Sequence, residues 1–242
     1  MHALFISGIF MSFFIVFLLL TKMNKALTDR ILATWVSVIG IHLLGFYLKV
    51  AGYWETNPHL IGVTAPFPLL HGPFLYLFTL YSLRSDAKIR KVDYLHFVPF
   101  TAAFLYMSDF FFFYSPEEKL QVDRGEVQDY AVFTVVLLVA ILISGLTYAV
   151  LSYWLTLKHE RRIDNNFSYD ENINLNWLRY CILAIALVFL SAVAVVVLRD
   201  GIGLNFLFNA EYIIYSIIIL FIFYIGYFGI RHQHIFTNNP QI

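Results

Sequence analysis

Two histidines lie within long apolar runs, where an imidazole could bind a ligand or a metal. His42 falls in an apolar run at 31–50, and His71 falls in the next run, at 62–83. At a rise of about 1.5 Å per residue, His42 lies about 16 Å from one membrane edge and His71 about 13 Å from the other. In a hydrocarbon core about 30 Å thick these depths nearly coincide. We therefore predict a facing pair that binds a ligand or a metal; the alternative is that each imidazole bonds separately to a carbonyl or hydroxyl.

Further polar residues lie towards one end of the same two runs. Trp54, Glu55 and His59 are in the loop that joins them, and Asp109 is near the end of a later run, at 95–114, where water can reach it. The alternative for Trp54 is membership of the aromatic belt at the membrane interface. Our candidate ligand-binding set is His42, Trp54, Glu55, His59, His71 and Asp109.

Prolines make the run at 62–83 unusual. Pro66, Pro68 and Pro73 each remove a backbone donor and clash with the preceding helical turn. We expect this helix to begin irregularly or to kink, and broken backbone in a membrane is tolerated where it faces protein or a cavity. The simpler alternative is that Pro66 and Pro68 only mark the start of the helix.

The elements that position these residues follow from composition. Of the 242 residues 60% are hydrophobic and 13% are charged, whereas soluble domains average about 25% charged. This composition excludes an ordinary soluble enzyme and a disordered chain. A net charge of zero argues against a polybasic surface for nucleic acids. The single cysteine, Cys181, excludes a disulfide framework.

Apolar runs of about 20 residues predict an all-α integral membrane bundle of seven transmembrane helices. The predicted spans are 3–20, 31–50, 62–83, 95–114, 130–157, 177–198 and 212–230. Residues 1–230 thus form one transmembrane domain, and residues 231–242 form a tail. We predict that the first span is a retained helix rather than a signal peptide, because the basic residues follow it.

The distribution of Lys and Arg predicts the orientation. Of the 16 basic residues, 12 lie on one side of the seven spans and 4 on the other. The positive-inside rule then puts the N-terminus outside and the C-terminus in the cytoplasm.

Residue types also restrict the function. No Asp, Glu, Lys or Arg lies near the centre of a predicted span, which argues against ion-coupled transport. The sequence has no nucleophile triad pattern, phosphate-binding glycine loop or zinc spacing. We therefore predict that the chain is not an enzyme, with no catalytic residues, no cofactor and no metal.

Four segments, taken in order, resemble a known family. They are 72–78 (GPFLYLF), 94–100 (YLHFVPF), 174–179 (NLNWLR) and 226–233 (GYFGIRHQ). The chain resembles the N-terminal seven-helix membrane region of AraC-type transcriptional regulators in Bacteroidetes-like bacteria. The resemblance implies a sensor in the bacterial inner membrane whose tail continues into an output domain with two helix-turn-helix motifs. Because the sequence stops at Ile242, we expect a fragment that would contact nucleic acid only through an absent C-terminal domain.

The leading functional hypothesis is thus a membrane-embedded sensor for an external or intramembrane ligand, either a small molecule or a lipid-like one. Helix seven would pass the signal to the cytoplasm, and analogy with two-fold regulators suggests a homodimer. Besides this ligand, the expected partner is the lipid bilayer. The alternative is a small transporter or channel for an uncharged or amphipathic solute, although the odd number of spans disfavours inverted repeats.

Overall fold

The computed structural model describes residues 2–84, 88–166, 175–204, 206 and 209–231, and every regular element in these ranges is helical. The α-helices are α1 His2–Thr21, α2 Leu27–Val50, α3 Tyr53–Thr56, α4 Pro68–Ser82, α5 Val98–Tyr106, α6 Ser108–Phe113, α7 Pro116–Asp123, α8 Ala131–Asn166, α9 Leu175–Val196 and α10 Glu211–Arg231. Short 3-10 turns occur at Pro58–Leu60 and Lys91–Phe97, and a π turn at Val197–Gly201 continues α9. The predicted tail beyond Arg231 lies outside the described residues.

Six segments of the described chain are long and apolar enough to cross a membrane, as expected of a multi-pass membrane protein. They are His2–Thr21, Leu27–Val50, Lys91–Phe113, Ala131–Arg161, Asn176–Arg199 and Glu211–Phe228. They correspond to all the predicted spans except the third. The prediction of seven full-length spans is therefore only partly met.

The third predicted span is a shorter helix than expected. α4 has 15 residues, about 22 Å of helix. Residues 60–67 before it form successive tight turns, with Ala65 N donating to Gly62 O at 2.9 Å and Phe67 N to Thr64 O at 3.1 Å. Pro68 occupies the first turn of the helix, where its missing N–H is not needed. The expected irregular start is confirmed, and Pro73 lies inside a helix that continues past it.

α4 is the central helix of the bundle. No side chain from Leu69 to Tyr81 is exposed, because α4 packs against α2 on one side and α8 on another. α1 packs on α2, α9 lies between α8 and α10, and α10 returns to α1. The buried core includes Trp35, Leu43, Leu75, Ile219 and Ile222. Burial of α4 on several sides explains how a helix this short is held in an apolar bundle.

The two ends of the bundle differ in chemistry. We call the end that carries α3 and α7 the cap end, and the opposite end, which carries Lys22, Lys25 and Arg30, the basic end. The sequence did not predict α7. Its N-cap Ser115 forms a capping box, in which Ser115 N donates to Glu118 Oε2 at 2.7 Å. This bond holds the pKa of Glu118 below its ordinary value.

Candidate functional site

The two deep histidines meet in the middle of the bundle. Nδ1 of His42, on α2, lies 3.1 Å from Nε2 of His71, on α4, and the ring centroids are 5.3 Å apart. Both side chains are buried. The predicted juxtaposition is therefore present, and its cause is the one anticipated: antiparallel neighbouring helices bring equal depths together. The alternative, in which each ring bonds separately, does not describe this pair.

A tyrosine from α10 extends the pair. The Tyr215 hydroxyl lies 3.0 Å from Nε2 of His42, and its ring stacks on Phe46 with centroids 3.6 Å apart. Tyr215, His42 and His71 thus form a chain of hydrogen bonds through α10, α2 and α4, which we call the relay. Sequence analysis missed Tyr215, although the depth argument used for the histidines could have been extended to the tyrosines of the last span.

The relay has a preferred hydrogen-bond direction. A phenol hydroxyl is a stronger donor than a neutral imidazole N–H, so Tyr215 donates to His42 Nε2. His42 Nδ1 then carries its proton and donates to His71 Nε2, which leaves the His71 proton on Nδ1. This Nδ1 is buried and has no hydrogen-bond partner in the described part of the chain. A buried polar group without a partner costs free energy, about 1–3 kcal/mol, which a bound acceptor would remove.

A cavity of about 290 Å³ adjoins the relay. Its walls come from α2, α4, α8, α9 and α10 and from the turns before α4, and most of the lining is apolar. The lining side chains are His42, Phe46, Lys49, Trp54, Thr64, Ala65, Pro68, His71, Leu138, Ile141, Leu142, Val188, Phe189, Ala192, Glu211, Ile214, Tyr215 and Ile218, with the glycines Gly45 and Gly62. Such a pocket suits a small apolar molecule that carries one or two polar atoms.

The cap end of the cavity carries its charged residues. Lys49 Nζ lies 3.5 Å from Glu211 Oε2 and 5.5 Å from the centre of the Trp54 ring. Both charged side chains are partly exposed, so water can reach this end. Below them the turns before α4 lie close to α2: a Cβ at Gly45 would come within 2.3 Å of Thr64 Oγ1. The irregular start of α4 therefore forms part of the cavity wall.

The predicted site residues divide into two groups. His42, His71 and Trp54 line the cavity, whereas Glu55, His59 and Asp109 do not. Glu55 pairs with Arg124 at 2.6 Å, and His59 Nδ1 lies 3.0 Å from Lys119 Nζ. These two side chains turn towards the α7 region, which the sequence did not predict. Asp109 is exposed on α6 and is not part of the cavity lining.

Lys119 connects α7 to neighbouring elements of the cap end through its side-chain contacts. Its side chain is only 1% exposed although the residue lies in a polar helix. Nζ donates to Phe111 O at 2.9 Å and contacts His59, and burial lowers the pKa of Lys119. α7 is thereby tied both to the end of α6 and to the 3-10 turn at Pro58–Leu60. His59 and Lys119 thus have a packing role at the surface of the cap.

No cluster of metal-ligating side chains occurs among the described residues. The histidine pair carries four ring nitrogens, and three of them already take part in the His42–His71 and His42–Tyr215 hydrogen bonds. Comparison with known proteins found no match to a family model, a curated protein or a solved structure. The functional conclusion therefore depends on the geometry of the site.

Proposed function

We propose that this chain is a membrane-embedded sensory domain that binds a small, mainly apolar molecule in the cavity beside the relay. The observation that carries the proposal is the hydrogen-bond chain from His71 through His42 to Tyr215. It joins the cavity to α10, the last helix described, through groups whose donor and acceptor roles are interdependent. A ligand bound at the His71 end of the relay can thus change the hydrogen bond that Tyr215 of α10 makes with His42.

The ligand class follows from the lining. The cavity offers mainly apolar walls, with His71 and Thr64 among the few polar residues of its lining. A neutral molecule with a carbonyl or ether oxygen would accept the His71 proton while its apolar body displaces water. A fully charged ligand would lose hydration without an opposite buried charge, because Lys49 and Glu211 already neutralise each other.

Transmission is proposed to run along α10. Glu211, Ile214, Tyr215 and Ile218 form one wall of the cavity, so ligand binding acts directly on the first turns of this helix. A ligand shifts a two-state bundle only by its different affinity for the two packings. We place the N-terminus outside the bacterial inner membrane and the output in the cytoplasm, where an AraC-type DNA-binding domain would respond, by resemblance to that family.

The side-chain packing on the basic-end side of the cavity favours a sensor over a transporter. Trp35 is fully buried two helical turns from His42, towards the basic end. Its ring packs on Phe221 at 5.6 Å and on Phe78 at 6.4 Å between centroids. This aromatic cluster is closely packed on the basic-end side of the histidines. We take this packing as support for recognition rather than passage.

The test is a fusion of the chain to an AraC-type DNA-binding domain in a bacterial reporter strain. Neutral ketones, esters and ethers of increasing size are screened from outside the cell. We expect a subset to change reporter output, with about a tenfold higher half-effective concentration in His71→Phe, because one buried hydrogen bond is lost. Asp109→Asn, outside the cavity, serves as the matched control.

Two outcomes would contradict the proposal. One is a response that His71→Phe and Asp109→Asn leave equally unchanged, since the cavity would then be irrelevant. The other is saturable flux of the same compounds into proteoliposomes that contain the purified chain. That flux would move the chain to the transporter class.

A further inference from the structure

A second concavity lies on the outside of the bundle, away from the relay. Its volume is about 550 Å³, and it lies between α2, α4, the Lys91–Phe97 turn and α5. α4 packs against both α2 and α5 and forms the floor. Its lining includes Arg30, Ile31, Thr34, Tyr94, Phe97 and Phe100. We call this concavity the lateral groove; none of its lining residues belongs to the cavity beside the relay.

The lateral groove has a direction relative to the membrane. Leu27 and Arg30 lie at the basic end of α2. Thr34 lies about 10 Å further along the helix than Leu27, towards the middle of the bundle. On α5 and the turn before it, Tyr94 lies near the same end, and Thr101 lies deeper in the same sense. The groove therefore runs from the interfacial end of the helices into the apolar layer. Arg30, Thr34, Tyr94 and Thr101 are exposed, so it opens to the surroundings of the bundle.

Arg30 places a cation at the end of the lateral groove that lies nearest the basic end of the bundle. The Arg30 guanidinium has no hydrogen bond or ion pair with any residue that the structure describes, whereas the neighbouring Asp29 is paired with Lys22 at 2.9 Å. The Tyr94 ring, 61% exposed, lies at the same end. Below them the groove is lined almost entirely by apolar side chains. An unpaired cation above an apolar channel matches a molecule with an anionic head and a hydrocarbon chain.

We propose that the lateral groove is a binding site for an anionic glycerophospholipid. The headgroup phosphate accepts hydrogen bonds from Arg30, whose planar fork suits phosphate oxygens. One acyl chain lies along α4 between Ile31 and Phe97 and reaches Thr34 and Phe100. The acyl chain thus lies over the α4 side chains that form the floor of the groove, so the lipid acts as a structural partner of the central helix.

The test uses the full chain purified in a neutral detergent, with retained lipid measured by native mass spectrometry and stability by thermal unfolding. Phosphatidylglycerol is compared with phosphatidylcholine of the same chains. We expect phosphatidylglycerol to be retained preferentially and to raise the unfolding midpoint. Arg30→Gln should weaken its retention about five-fold, the usual effect of one interfacial cation. Thr34→Phe should weaken retention of both lipids, because the ring fills the groove.

The matched control is Lys25→Gln, an exposed cation of the same end that does not line the groove. Retention of phosphatidylglycerol should be unchanged in this variant. An equal loss in Lys25→Gln and Arg30→Gln would overturn the site in favour of general surface attraction. Inorganic phosphate that stabilises the chain as well as phosphatidylglycerol would overturn the role of the acyl chain. Because all three substituted side chains are exposed, the variants are expected to fold.

Discussion

At the scale of single residues, the relay concentrates the polar chemistry of an apolar bundle in three side chains. Tyr215, His42 and His71 each depend on the neighbour for the direction of their hydrogen bonds. Removing one group at an end leaves the next one unpaired in an environment without water. The Tyr215 hydroxyl therefore contributes more to the stability of the bundle than the same hydroxyl would at the surface.

We expect Tyr215→Phe to destabilise the bundle by about 1–3 kcal/mol, because His42 Nε2 then lies buried without a donor. The measurement is thermal unfolding of the purified chain in detergent. Tyr106→Phe, which removes a hydroxyl from an exposed ring, is the matched control and should change stability by much less. Equal effects of the two substitutions would remove the energetic argument for the relay.

A tyrosine of the cap end gives a pH prediction. The Tyr114 hydroxyl donates to Asp129 Oδ2 at 2.9 Å, and this bond raises the pKa of Tyr114 to about 12. A pKa raised by folding means that the stabilising contribution is complete below about pH 10 and is lost as the pH rises through 12. The difference in tyrosinate absorbance between the native chain and Tyr114→Phe measures this ionisation. In Asp129→Asn the same hydroxyl should ionise at lower pH; an unchanged titration would mean that the bond is absent in solution.

At the scale of helices, close packing around the cavity depends on small residues. A Cβ on Gly145 of α8 would lie 2.3 Å from atoms of the Phe189 ring on α9. Membrane helices use such small residues to approach each other closely, since lipid gives no hydrophobic drive for association. Phe189 also lines the cavity. The α8 and α9 contact therefore sets part of the cavity's shape.

Gly145→Ala is expected to destabilise the bundle by about 1–3 kcal/mol through overpacking and to push Phe189 towards the cavity. The double variant Gly145→Ala with Phe189→Leu should recover most of the stability, because the smaller side chain makes room. Thermal unfolding of the single and double variants measures both effects. Failure of Phe189→Leu to rescue would show that the methyl group meets something other than this ring.

The helices also show how far the sequence could be interpreted. Long apolar runs predicted the positions of α1, α2, α8, α9 and α10, because apolar length is a local property. The Pro66 and Pro68 pair predicted the irregular start of α4 for the same reason. α7 was missed because a short polar helix lacks an apolar signature. Glu55 and His59 were therefore assigned to a pocket, whereas they meet Arg124 and Lys119 of the cap end, contacts that depend on tertiary packing.

At the scale of the whole molecule, the separation of charge between the two ends is the basis for the proposed orientation. The basic end carries Lys22, Lys25 and Arg30, and α7 at the cap end carries acidic residues. Cytoplasmic loops favour Lys and Arg. The same asymmetry that orients the chain would place the lateral groove in the inner leaflet.

Cysteine labelling tests this orientation. Cys181 is buried and free, so Cys181→Ser provides a background without thiols. We expect a cysteine introduced at Gln121 in α7 to react with a membrane-impermeant maleimide in intact cells. A cysteine at Lys25 should react only after the cells are broken. The reverse pattern would invert the orientation and with it the direction of the proposed signal.

The burial of α4 has a consequence for how the protein is made. With 15 residues, and prolines at Pro68 and Pro73, this segment is a poor substrate for insertion into lipid on its own. Its apolar surface is matched by α2 and α8, and α8 is synthesised later. The α1 and α2 hairpin can enter the bilayer during synthesis, whereas α4 can settle only once α8 has been made. The final placement of α4 is therefore expected to depend on packing with α2 and α8 more than on its own hydropathy.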